Sequence, residues 1–306
     1  MDDKFTLTFY MLSVLIPVYN YDIRPLVNLL HEQLIASQVE FEIICLDDYS
    51  NKKTGILNAE IKQLQYTSYK LSSNNFGRVA TRQALAKQAS YDWLLFLDAD
   101  VMPKSHQFIS KYIALLSTGN DAIYGGFAYT LEQPKNDYML RWRYGTSNEQ
   151  VHASKRNKTP YKIVISANFL IKKTVFLELN SQITQRGYGY DNYFGALLKS
   201  LQFKVYHIDN EVYHLGLEPN EIYLHKIEQS IDTLLKLDLN KEIQQTDNSL
   251  YNTYKSLKRL KLNYLFSKIY RVFKNRFKKN LLSRKPDIRL LQFYKLSYIC
   301  YQDLNS

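Results

Sequence analysis

Three short apolar runs, each closed by a proline or by carboxylates, constrain the fold of this chain more than any other feature. Leu12-Ser13-Val14-Leu15-Ile16 ends at Pro17 and is followed by Val18-Tyr19-Asn20. Phe41-Glu42-Ile43-Ile44-Cys45-Leu46 ends at Asp47-Asp48-Tyr49-Ser50, and Trp93-Leu94-Leu95-Phe96-Leu97 ends at Asp98-Ala99-Asp100. A handful of β-branched and aromatic residues bounded by turn formers reads as a buried strand of a parallel sheet. Between the first two runs, Leu26, Leu29, Leu30 and Leu34 recur at helical spacing, so the order is strand, helix, strand. Ligand-type residues then stand at the carboxyl ends of the strands, where open α/β sheets bind nucleotides.

Asp98-Ala99-Asp100 lifts two carboxylates from a strand onto a loop. Mg2+ and Mn2+ favour oxygen ligands and take one or two protein carboxylates together with substrate phosphate oxygens, so this pair is a candidate metal site. By itself the spacing is weak, because surface loops produce it by chance. Asp47 and Asp48 can accept hydrogen bonds from a ribose hydroxyl or a base N–H, or can simply cap a turn. Asn75 to Ala89 reads as a helix entered through Gly77, with Arg78 and Arg82 one turn apart on one face. Two cations at a helix start can hold a diphosphate; the alternative is a solvated basic face.

Taken in order, these blocks resemble family 2 glycosyltransferases with the GT-A fold. The resemblance rests on Leu12 to Asn20, Asp47-Asp48-x-Ser50, Asn75-x-Gly77-Arg78 with Arg82, and Asp98-x-Asp100. It continues through Ser166-Ala167-Asn168-Phe169-Leu170-Ile171, Gly187-Tyr188-Gly189-Tyr190-Asp191 and Val212-Tyr213-His214-Leu215-Gly216, to about residue 230. It implies an α/β fold with a mostly parallel, Rossmann-like sheet flanked by helices, and inverting sugar transfer from a nucleotide sugar, UDP-linked by preference. By the same resemblance Asp48 reads the uracil ring with Pro17 and Tyr19 lining its pocket, while Arg78 and Arg82 hold the diphosphate. Asp98 contacts the ribose and metal-bound waters, Asp100 binds Mn2+ or Mg2+, and His214 is a further metal ligand. Asp191 matches the general base that takes the acceptor proton; it can also cap the helix Tyr193–Leu201. Asn168 and Tyr188 are acceptor-side candidates, and His207 reads as a packed residue. The family pattern is departed from at Gln83, where Asn is common, and at Tyr190, where Glu is usual. Loss of the metal carboxylates or of the base would favour a degenerate transferase fold that only binds glycans or membranes. A sugar nucleotidyltransferase would usually show a glycine-rich, lysine-bearing loop where this chain has Pro17-Val18-Tyr19-Asn20.

Charge divides the chain. The net charge is +11, yet residues 255–295 hold 14 Lys or Arg against Asp287 alone. With Asp303 the one acid beyond them, the other 254 residues sum to −1. The boundary predicts a catalytic domain over 1–235 and a basic helical extension over 236–306. In the extension Leu262, Phe266, Ile269, Phe273 and Phe277 recur at steps of three or four, with Lys261, Lys268, Arg271, Lys274 and Lys278 on another face. A basic amphipathic helix of this kind suits an anionic membrane surface, or else covers a core. Nothing resembles a base-reading motif, so nucleic acid is not the expected partner. The expected partners are a nucleotide-sugar donor and a glycan or lipid-linked glycan acceptor. No apolar stretch approaches the roughly 20 residues of a membrane span. Residues 1–10 lack a signal-peptide core and are expected to be dispensable for chemistry. Two cysteines make no disulfide framework, so the expected location is the cytoplasm, or its membrane face.

Overall fold

The computed structural model describes residues 11–243 and 245–305; residues 1–10, set aside above as dispensable, lie outside them. The chain runs β1 (Met11–Val18), α1 (Arg24–Ala36), β2 (Glu40–Asp47), α2 (Lys52–Asn58), β3 (Thr67–Leu71), α3 (Arg78–Gln88), β4 (Trp93–Leu97), β5 (Val101–Pro103), α4 (Phe108–Ile113) and β6 (Ala122–Tyr124). It continues with β7 (Phe127–Ala128), α5 (Met139–Tyr144), α6 (Ala153–Arg156), β8 (Asn168–Lys172), α7 (Lys173–Ser181), α8 (Tyr190–Ser200), β9 (Val205–His207) and β10 (Val212–His214). Four helices follow: α9 (Asn220–Leu239), α10 (Ser249–Arg259), α11 (Asn263–Leu281) and α12 (Ile288–Asp303).

Two compact units share these elements. The first holds the chain up to Gly125 with Ser166–Gln182 and Asn210–Val212; the second holds Gly126–Ile165, Ile183–Asp209 and the chain from Tyr213 onward.

In the first unit the sheet order is β3-β2-β1-β4-β8-β6. β1 pairs in parallel with β2 and β4, and β2 with β3, while β8 lies antiparallel to β4 and β6. The three apolar runs of the sequence are β1, β2 and β4. β1 extends through Pro17 to Val18 because its ladder with β4 ends at Leu15↔Phe96. Beyond that point Pro17 faces no β4 partner, so its missing N–H costs the sheet nothing on that side. Phe96 of β4 stacks on Phe169 of β8 at 5.1 Å between ring centroids and meets Phe176 of α7 at 4.4 Å. This aromatic cluster fixes β4 and β8 side by side, and with them the loops that leave their ends.

In the second unit α9 buries Leu224, Ile227, Ile231, Leu234 and Leu235 as the helical spacing predicts, whereas Ile222 is half exposed. The polar stretch 247–254, which reads as a loop, becomes helical from Ser249. Asn248 caps the Tyr251 N–H, and burial of Tyr251 and Tyr254 repays the poor intrinsic pattern. The apolar line of the basic segment is consumed in part within this unit, while Leu262 and Phe273 stay exposed. Phe266 and Phe277 of α11 lie 5.5 and 5.9 Å from Phe293 of α12, and Tyr270 packs among Tyr294, Tyr298 and Tyr301. Pro286 follows α11, and Asp287 caps α12 through the Arg289 and Leu290 N–H groups.

His207 is packed, as read from its place in the strand. Its Nε2 donates to the Pro160 carbonyl and its Nδ1 accepts from Arg156, each at 2.8 Å, with the ring 1% exposed. Burial pushes its pKa down to about 4; the Pro160 bond pulls upward and the Arg156 charge downward. An unfolded chain protonates this ring near 6.5 and the folded one only near 4, so stability is full above pH 6.5 and falls between 6.5 and 4. Denaturant titrations should show a loss of about 3 kcal/mol across that window, and His207→Gln should flatten it. An unchanged slope in the variant would mean that other groups carry the acid sensitivity.

Candidate active site

The first unit collects its polar residues at the carboxyl ends of β1, β2 and β4. Asp47, the last residue of β2, is fully buried and accepts the Ser50 N–H at 2.7 Å and the Tyr69 hydroxyl. Burial, reinforced by the Asp47 charge, pushes the Tyr69 phenol up, which keeps it a proton donor in that bond. Asp48 turns the other way. Its two carboxylate oxygens accept the N–H groups of Phe76, at 2.6 Å, and Gly77, at 2.8 Å, while Asn75 Nδ2 donates to its carbonyl at 3.1 Å. The residue matched to uracil reading thus also fixes the loop that starts α3. Each carboxylate oxygen keeps a further lone pair for a ligand.

A second clasp joins the ends of β1 and β2. The Asn20 N–H donates to Ser50 Oγ at 2.6 Å, and Asn20 Oδ1 accepts from the backbone and side chain of Asn51 at 2.8 Å. Asn20 and Tyr49 both adopt positive φ, +50° and +74°, a conformation that non-glycine residues hold only where neighbours enforce it. Pro17 is half-buried at this edge, and Tyr19 and Tyr49 are exposed beside it.

α3 begins after Gly77, whose φ is +82°. Arg82 on its inner face is buried and donates through Nη2 to Asp98 Oδ1; the same nitrogen lies 3.4 Å from the Ser166 carbonyl. Arg78, one turn earlier and more exposed, sits 3.6 Å from Asp98 Oδ2. The pair read as one cationic face therefore converges on a single carboxylate. Asp98 is itself fixed, because its N–H donates to the Ala167 carbonyl at the start of β8. Arg82 Nε is buried and meets no hydrogen-bond acceptor among the described residues. Asp100 lies two residues further on; burial, reinforced by the Asp100 carboxylate, pushes the Tyr21 phenol up. Tyr21 carries no signal in the sequence beyond its position directly after β1's exit loop.

Asn168 lies in the core. Its Oδ1 accepts from Tyr112 at 2.7 Å, its Nδ2 donates to the Asn210 carbonyl at 2.9 Å, and its backbone carbonyl holds the Gly125 N–H. Both ends of the amide are engaged by its own unit.

Asp191, Tyr188 and His214 belong to the second unit. α8 starts at Tyr190, three residues earlier than the sequence pattern, with Gly189 as the cap at φ +94°. A Cβ at Gly189 would lie 2.4 Å from Ser230 Oγ and 2.9 Å from the α9 backbone, so only glycine fits there. Asp191 consequently sits exposed in the first helical turn, where the helix dipole favours negative charge. Lys226 stands over the Tyr188 ring at 4.6 Å. His214 packs its ring against Phe127 and Tyr129 at 5.3 and 5.9 Å.

Among the described residues no group of three or more His, Cys, Asp or Glu forms a protein-only metal cage. Asp98 and Asp100 nonetheless fit Mg2+ or Mn2+ in their usual manner, since these ions bind through one or two carboxylates and complete their shell with water and phosphate oxygens. No helix among the described residues is long and apolar enough to cross a membrane.

No curated protein matches the chain. Among solved structures, S. aureus TarS 1-349 aligns with a TM-score of 0.51 at 14% identity, covering 97% of this chain and 91% of that one. The same fragment in complex with UDP-GlcNAc gives 0.51 at 15% identity, covering 97% and 92%. The mannosyltransferase PcManGT from Pyrobaculum calidifontis, in complex with GDP-Man and Mn2+, gives 0.50 at 11% identity, covering 74% of this chain and 64% of that one. Against a longer TarS chain the alignment spans 40% of that chain's length. At these identities the likeness establishes the fold, a GT-A arrangement of a mostly parallel sheet flanked by helices. The family model for glycosyl transferase family 2 matches residues 13–179, more than half the chain and every strand-end residue described in the first unit. The chain belongs to glycosyl transferase family 2.

Proposed function

We propose that this protein is a metal-dependent, inverting glycosyltransferase of the cytoplasm, with its catalytic domain over 1–235 and a basic helical extension over 236–306. It moves a sugar from a UDP-sugar to a hydroxyl of a glycan or lipid-linked glycan. The observation that carries this reading is the convergence of Arg78 and Arg82 on Asp98, two residues before Asp100. Two carboxylates paired with two guanidiniums are nearly neutral as a set, and they suit a doubly charged ion together with a diphosphate better than either alone. A phosphate oxygen would answer the buried Arg82 Nε donor. Asp100 would hold Mn2+ or Mg2+, with Asp98 toward the ribose and the water shell and, as the family resemblance implies, His214 as a further ligand. The ion's chemistry is to stabilise charge on the departing diphosphate. Pro17, Tyr19 and Asp48 hold the base. Asp191 takes the acceptor proton, and Tyr188 supports the acceptor side.

Calorimetric titration with UDP, GDP and CMP, each with and without Mn2+, tests the donor class. UDP should bind in a Mn2+-dependent way, and Asp100→Ala should abolish that dependence while stability changes by no more than about 0.5 kcal/mol. Wholesale unfolding of the variant would make Asp100 structural, and Mn2+-independent binding would remove the ion from the site. Asp191→Asn should leave UDP affinity intact and lower kcat at least about 100-fold. Retention of most activity would move the base elsewhere.

A further inference from the structure

The outward face of α11 combines two properties that ordinary surfaces keep apart. With Phe266, Tyr270 and Phe277 turned onto α12, the opposite face carries Tyr264, Leu265 and Val272, which are 64%, 54% and 63% exposed. Lys268, Arg271 and Lys279 share that face, since positions 264, 268, 271, 272 and 279 fall along one side at helical spacing. All three are exposed. α11 bears six Lys or Arg and no Asp or Glu, and Lys278 is turned to Glu228 of α9 at 2.8 Å.

Each simpler occupant explains half of this. A helix that merely faces water has no use for three large apolar side chains on its wet side. A protein interface is depleted in lysine, and a nucleic-acid backbone is met by cations without interleaved Leu and Val. An anionic lipid surface uses both: apolar side chains enter the boundary between headgroups and acyl chains while Lys and Arg reach the lipid phosphates along their apolar stems. We propose that this face of α11 is the docking surface for an anionic lipid bilayer. Leu265, Val272 and the Tyr264 ring insert shallowly, and Lys268, Arg271 and Lys279 hold the headgroups. The surface lies wholly within the second unit, and the inference goes beyond the sugar-transfer reading without depending on it.

Co-sedimentation of the full chain with phosphatidylcholine vesicles, alone or mixed with phosphatidylglycerol, is the test. The wild type should bind the mixed vesicles and not the neutral ones, and high salt should weaken the binding. The variant K268E/R271E/K279E should lose at least about tenfold in affinity, and L265S/V272S should do likewise, with helix content by circular dichroism unchanged in both. Equal binding to neutral vesicles, or an apolar variant that binds like wild type, would overturn the proposal. So would a shift from dimer to monomer in L265S/V272S with vesicle binding intact, which would make the face a contact between two copies. Preferential binding of a short duplex DNA, lost only in the charge variant, would give the face to nucleic acid instead.

Discussion

The ion pair between Arg82 and Asp98 is the interaction on which the site depends. A guanidinium with its side chain 8% exposed is costly to bury unless it is answered, and Asp98 answers it from the end of the central strand β4. The pair joins α3 to β4, and the Ser166 carbonyl next to β8 joins the same nitrogen. Removing one partner of such a pair leaves a buried charge, at a cost of about 3–5 kcal/mol. The clasp therefore fixes the loop that carries Asp100 before any ligand arrives.

The other strand ends follow the same logic at lower charge density. Asp47 turns to Tyr69 and Ser50, and its neighbour Asp48, also buried, turns the other way to the Phe76 and Gly77 N–H groups. One adjacent pair thus anchors the turn and positions the entry to α3. Alternation along an extended strand sends neighbouring side chains to opposite sides, which is why two consecutive carboxylates can hold separate tasks. The strained φ of Tyr49 lies between the Asp48 and Ser50 contacts and is enforced by both.

What was legible in the sequence is what depends on strand-length apolar runs and their closing residues. β1, β2 and β4 and the carboxylates after them could be read directly, because burial on both faces leaves a continuous apolar signature. Long-range partners were not legible. Nothing in Arg78-x-x-x-Arg82 announces that both side chains aim at Asp98, nothing marks Ser166 as a neighbour of Arg82, and nothing marks Tyr69 as the partner of Asp47. Asn168 shows the converse: a polar residue in a family-like block is engaged at both ends of its amide by Tyr112 and Asn210. In the basic segment the periodicity gave the helix but not its orientation. Phe266 and Phe277 are spent on α12, while Tyr264, Leu265 and Val272 lie exposed on the basic side. The α8 start shifted for a local reason, since Gly189 at positive φ caps the helix earlier than the polar residues imply.

We propose that the Asp98–Asp100 loop, braced by Arg82, receives a divalent ion together with a nucleoside diphosphate. Crystals of the full chain grown with UDP and Mn2+ test it most directly, through the anomalous scattering of manganese. One strong peak shared by the Asp100 carboxylate and the diphosphate is expected, with Arg82 still buried beside Asp98. A nucleotide bound away from these residues, or bound here with no manganese peak, would contradict it.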